Sequence, residues 1–203
     1  MYRISSFFVA ILVGTGALAG PEFHYEDLRR FDQALQEIAA GADPVESMEG
    51  YVTDASVAFN GFAERYKVTA ESITNQYRKR PIYYGDLPRI EDWLKTREPE
   101  IIDALDRLVK LAPSGESVPV YFLVADQKAG GTPIPIETED GIRAVIAIAV
   151  DAIALTSETD MSEFPNGAGG RAKRADLPQV VVHETSHVLQ VSAQGGLDNY
   201  RSI

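Results

Sequence analysis

The stretch LPQVVVHETSHVLQ, Leu177 to Gln190, carries the clearest structural pattern in the chain. Pro178 suits the first turn of a helix, and neither proline nor glycine recurs until Gly195. The stretch therefore predicts an α-helix of about fifteen residues, beginning near Asp176.

Within this helix the pentapeptide HETSH places two histidines four residues apart. Residues at this spacing lie on one helix face, so the imidazoles of His183 and His187 can reach one metal ion. Glu184 follows the first histidine by about 100° around the helix, which puts it beside the ion rather than among its ligands. We predict that His183 and His187 bind Zn²⁺ and that Glu184 is the catalytic base of a zinc hydrolase. The alternatives are a hydrogen-bonded histidine pair in the core and a chance occurrence of the motif on the surface.

A third protein ligand is harder to find. The longer pattern HExxHxxGxxH fails, because Gln190 and Ala193 occupy the places of its glycine and third histidine. Asp198 is the only acidic residue downstream, eleven residues past the motif, and is a poor candidate. His24 lies far upstream among acidic residues, where we expect it to be exposed. We expect the third ligand to lie beyond Ile203, in a domain that is incomplete at its C-terminus.

The pattern of apolar residues predicts an α+β fold. From Tyr25 to about Ala112 it is mostly helical, with an apolar stripe that begins at Leu28 and a helix end at Gly41 and Pro44. Further helical stretches are predicted from Val57 to Tyr77, broken by Pro81, from Trp93 and Leu94 onward, and around Ile101 to Val109, ending at Pro113 and Gly115. Two strands follow, Val118 to Val124 and Ile142 to Val150. We predict long exposed connections at Asp126 to Gly141, rich in glycine, proline and threonine, and at Asn166 to Arg174.

Composition excludes one class of partner. The 203-residue chain carries 30 acidic and 19 basic residues, a net charge of −11. Because phosphate contacts require a basic surface, this balance argues against nucleic acid.

The first nineteen residues have the form of a signal peptide. Arg3 precedes an apolar stretch, and Ala17-Leu18-Ala19 has the small residues that signal peptidase prefers, so cleavage is expected before Gly20. The alternative is an uncleaved anchor. The mature chain, 20–203, would contain no membrane span and would be exported to a bacterial periplasm or outside the cell. The chain has no cysteine, so neither disulfides nor thiolate ligands are available.

The sequence resembles a family of predicted bacterial zinc-dependent proteases of the gluzincin type. The resemblance rests on three blocks in order: VPVYFLVADQKAGGTP at Val118 to Pro133, GIRAVIAIAV at Gly141 to Val150, and LPQVVVHETSHVLQ. It implies a zincin-type active-site helix and a glutamate ligand on a following helix, which has no counterpart here. It also implies that the Gly130-Gly131-Thr132 loop pairs with extended substrate, the alternative being a flexible hairpin connection.

Together these observations predict an exported zinc metallopeptidase-like domain that acts on peptides or proteins. Two alternatives stay open. One is a non-catalytic binding protein on a zincin-like fold, and the other is a zinc hydrolase of a non-peptide substrate.

Overall fold

The computed structural model describes residues 21–111, 118–139, 141–167 and 173–193. The helices are α1 (Glu26–Ala39), α2 (Pro44–Thr53), α3 (Val57–Tyr66), α4 (Ala70–Lys79), α5 (Pro81–Asp86), α6 (Ile90–Val109) and α7 (Leu177–Ala193). The strands are β1 (Phe23–His24), β2 (Val120–Leu123), β3 (Gly131–Thr138) and β4 (Gly141–Ala149). Helices thus precede a small sheet and a last helix follows it, which confirms the α+β prediction.

The helical half departs from its sequence signals at two places. One is α6, which continues through Pro99 and joins the two helical stretches predicted from Trp93 onward and around Ile101 to Val109. α1 ends before Gly41, whose φ of 100° is left-handed, and Pro44 opens α2 behind an Asp43 side chain that caps it. The predicted stretch from Val57 to Tyr77 is wrong as a continuous element. It divides into α3 and α4 at Lys67, whose φ of 54° is left-handed although it is not glycine.

The sheet has the order β1-β2-β4-β3, so β3 lies at one edge. β1, β2 and β4 run parallel, and β3 pairs antiparallel with β4. The two predicted strands are present, but the exposed connection predicted for Asp126 to Gly141 is wrong, because half of it forms β3. Glycine and proline suggested a loop there. An edge strand accepts proline where the nitrogen faces outward.

Helices cover both faces of the sheet. A Cβ built on Gly61 of α3 would lie 2.3 Å from the side chain of Ile134, so α3 packs against β3 without room for a side chain. A Cβ built on Gly131 would lie 3.0 Å from Glu184 of α7. Because residues of opposite parity face opposite sides of a strand, α3 and α7 cover opposite faces, both at the β3 edge.

The helix predicted to carry HETSH is present as α7, and it begins one residue after the predicted start near Asp176. α7 has 17 residues and follows a short 3₁₀ turn at Arg174–Asp176. Val181, Thr185 and Val188 are buried on its inner face. The helix end predicted at Gly195 lies outside the described residues, as do Pro113, Gly115, most of the predicted loop at 166–174 and the predicted signal peptide.

None of the helices in the described ranges combines the length and apolar character that crossing a bilayer requires.

Candidate metal and catalytic site

The two histidine side chains of HETSH meet at their Nε2 atoms. His183 Nε2 and His187 Nε2 lie 3.1 Å apart, with the rings inclined by 85°. Two nitrogens on a tetrahedral Zn²⁺ at about 2.0–2.1 Å would be about 3.3 Å apart. The observed spacing therefore fits two ligands of one ion. It also suits an N–H···N hydrogen bond between a donating and an accepting ring.

Hydroxyl groups between the histidines are occupied by the helix itself. Thr185 Oγ1 donates to the Val181 carbonyl at 2.8 Å, and Ser186 Oγ donates to the His183 carbonyl at 2.6 Å. Both hydroxyls donate to backbone oxygens. The candidate ligands and the candidate base on this part of the helix are therefore the two imidazoles and the Glu184 carboxylate.

The Glu184 side chain is half-buried where α7 packs against the start of β3. Its Cγ is 3.0 Å from the position that a Cβ on Gly131 would take, so any other residue at this position would require the Glu184 side chain to shift by a few tenths of an ångström. Burial raises the pKa of the Glu184 carboxyl, and the electrostatic interactions with His183, His187 and Arg65 oppose that rise. A raised pKa makes the carboxylate a stronger base toward the proton of a neighbouring group.

A cavity of about 730 Å³ opens in front of His183 and Glu184. One wall is the N-terminal half of α7, including Gln179 and Val180, and the other is the loop from Gln127 to Gly131 together with Ala152 and Ile153. Its volume is that of a site for a small molecule or a few peptide residues.

The loop from Gln127 to Gly131 is anchored at its start by hydrogen bonds to Asp151, a carboxylate that is fully buried. Asp151 accepts hydrogen bonds from the backbone N–H groups of Ala125 and Gln127, each at 2.8 Å, and from the Tyr84 hydroxyl at 3.2 Å. Burial raises its pKa to about 6, although these hydrogen bonds act in the opposite direction. Sequence reasoning missed Asp151, although a single acid within the apolar run from Ala144 to Leu155 could have indicated a buried carboxylate.

Lys128 holds the same loop from outside. Its Nζ donates to the carbonyls of Tyr66 at 3.2 Å and Lys67 at 3.0 Å, at the C-terminal end of α3, and lies 2.7 Å from Asp126 Oδ2. The Asp126 side chain is only 1% exposed, so this ion pair compensates a buried charge. Lys128 thus ties the cavity wall to α3. No pattern in the sequence predicted this contact.

Other candidate ligands are not gathered here. Among the residues that the structure describes, no three or more His, Cys, Asp or Glu side chains are grouped so that they could hold a metal together. Asp198, the acidic candidate for the third ligand, lies outside the described residues. His24 is not exposed as expected: its side chain is 21% exposed, and its ring stacks on Tyr121 at 4.0 Å, in the strand pair β1–β2.

No family model, curated protein or solved structure matches this chain. The resemblance to zinc-dependent proteases therefore stays a prediction that rests on the three sequence blocks alone.

Proposed function

We propose that this chain is an exported zinc-dependent hydrolase of the metallopeptidase type, acting on peptides or proteins. His183 and His187 would hold the ion, and Glu184 would act as the general base. The observation that carries the proposal is the 3.1 Å approach of the two Nε2 atoms on a helix face that borders a cavity.

Zinc bound at this place would supply Lewis acidity, which polarises a carbonyl and makes water acidic near neutral pH. The chain itself supplies the proton transfers. Glu184, half-buried and with a raised pKa, would take a proton from the attacking water and pass it to the leaving amine. Its Cγ packs against Gly131, which places the side chain at the start of β3 beside the cavity.

Peptide is favoured as the substrate class because the cavity reaches the edge strand β3 at Gly131. A strand edge offers backbone donors and acceptors to an extended chain, independently of its side chains. A cavity of about 730 Å³ beside that edge accommodates a few side chains.

The test combines metal analysis with turnover. Equilibrium dialysis at a set free Zn²⁺ concentration should show about one ion bound per molecule of the purified chain, because two histidines are too few ligands to hold zinc once free metal is removed. His187→Ala should lose most of that zinc, whereas His24→Ala, the matched control, should retain it. Glu184→Gln should keep the zinc and lose at least about 100-fold of peptide cleavage, because glutamine cannot accept the proton.

Three results separate the alternatives. Failure to hold zinc would refute the proposal. Zinc without cleavage of any peptide, in a chain whose Glu184→Gln variant behaves identically, would favour a binding protein. Cleavage of esters or amides but not of peptides would favour a hydrolase of another substrate class.

The proposed export rests on residues 1–19, and the N-terminal sequence of protein expressed in a bacterial host tests it. Mature protein beginning at Gly20 is the expected result, and retention of Met1 would contradict it.

A further inference from the structure

The outer edge of β3 is unusual in what it offers to a partner strand. Gly130 accepts a hydrogen bond from the Ala149 N–H at 3.0 Å, so the carbonyl of residue 130 points toward β4. In an antiparallel pair, successive residues point alternately toward the partner and away from it. The backbone groups of 131, 133 and 135 therefore point outward, away from the sheet.

The pairing on the far side of β4 supports this assignment. Ile146 lies opposite Pro133 in the register, and its N–H donates to the Pro119 carbonyl at 2.8 Å, on the side of β2. Ile146 thus turns its polar groups away from β3. It follows that Pro133 and Ile146 form a pair without hydrogen bonds between them, and that the Pro133 nitrogen faces outward.

Proline occupies two of these outward positions. Pro133 and Pro135 have no N–H, so neither can donate to an approaching strand. Pro133 is in addition buried, which leaves its carbonyl out of reach of a second chain. Gly131 is partly exposed, has both a donor and an acceptor, and borders Glu184.

We propose that a peptide substrate pairs with β3 through Gly131 alone, and that Pro133 ends this pairing one step from the catalytic carboxylate. The inference rests on the proposed peptidase function and adds a restriction to it. Backbone pairing then fixes a single substrate residue, and the cavity between the 127–131 loop and α7 must provide the remaining recognition.

A rule about substrates follows. The Gly131 carbonyl accepts one substrate N–H, so the substrate residue that docks there cannot be proline or an N-methylated residue. Residues two positions away along the substrate face Pro133 and meet no such requirement.

The test is an N-methyl scan on the zinc-loaded chain. A peptide that the chain cleaves is first found by mass spectrometry in a digest of denatured casein. Analogues of that peptide are then made with one methylated amide each, and alanine substitution at the same positions controls for loss of side chains.

Apart from the amide that is cleaved, methylation at one position should lower kcat/KM by about tenfold or more, and methylation elsewhere by less than about threefold. Sensitivity that recurs at every second amide would overturn the inference, because it would show pairing along the whole edge. A scan with no sensitive position would overturn it as well, while the peptidase proposal would stand. If no peptide is cleaved at all, the peptidase proposal and this inference fail together.

Discussion

Asp151 should make the stability of this protein fall as pH rises. Its carboxyl group has an ordinary pKa of 3.8 in the unfolded chain and a pKa of about 6 in the folded one, because burial disfavours the charged form. Below pH 3.8 the group is protonated in both states. Between pH 4 and 6 the folded state binds more protons than the unfolded state, so the free energy of unfolding declines with pH. The rise from 3.8 to about 6 corresponds to about 3 kcal/mol, all of it lost above pH 6.

Asp151→Asn isolates this effect, because asparagine is uncharged at every pH. We expect the free energy of unfolding of the variant minus that of the wild type to rise by about 2.5 kcal/mol from pH 4 to pH 7 and then to level off. Any constant cost of the amide, which cannot accept both backbone hydrogen bonds, cancels from this change with pH. The assay is urea denaturation followed by circular dichroism, with a chelator present so that metal binding does not contribute.

Asp160 provides the matched control. It is fully exposed, and hydrogen bonds from Ser162 lower the pKa of its carboxyl. The same difference for Asp160→Asn should therefore fall with rising pH mainly below about pH 4 and stay nearly level across the range in which Asp151→Asn changes. A difference for Asp151→Asn that stays flat, or that falls between pH 4 and 7, would refute the assignment of Asp151 as a carboxylate that burial destabilises.

Two substitutions in β3 and its approach test the packing of the site. Gly131→Ala would place a methyl group 3.0 Å from the Glu184 side chain and displace it, so we expect kcat to fall by about 10- to 100-fold with zinc retained. Gly130→Ala meets its nearest atom at 3.3 Å and should cost much less, so equal losses in the two variants would count against a positional effect on the base. Pro133→Ala should lower the free energy of unfolding by about 1–3 kcal/mol, because it adds a buried N–H that faces away from β4. Pro165→Ala, at an exposed turn, should cost less than about 1 kcal/mol in the same denaturation assay, and a Pro133→Ala variant as stable as this control would contradict the outward direction of residue 133.

The helix that carries HETSH could be predicted from the sequence because its signals are local. Pro178 marks its first turn, and the spacing of His183 and His187 follows from helix geometry alone. The strand β3 was not readable, because Pro133 and Pro135 are loop signals unless their nitrogens face outward from a sheet edge. That direction depends on the pairing with β4, which is a property of the assembled sheet.

Of the residues around Glu184, some could be predicted from the sequence and others depend on contacts made only in the assembled fold. HETSH predicted the carboxylate and its two neighbours, whereas the Gly130-Gly131-Thr132 loop was predicted to pair with substrate and its contact with Glu184 was not foreseen. The contact of Lys128 with the end of α3 joins residues about sixty positions apart and leaves no periodic trace. Asp151 is an intermediate case. Its charge within an apolar run could have indicated a buried acid, although the sequence analysis did not single it out, and its partners depend on the placement of β2 beside β4.

The contacts of Lys128 also give it an uncommon chemical character. Its side chain is 46% exposed, yet its ammonium group is held by two carbonyl oxygens and one carboxylate. An amine must lose a proton and turn its lone pair outward before it can attack an acylating reagent. Lys128 should therefore be modified only in the moments when its ammonium group leaves these three oxygens. The rate of its acylation, followed by mass spectrometry against freely exposed lysines, would measure how often these contacts break in solution.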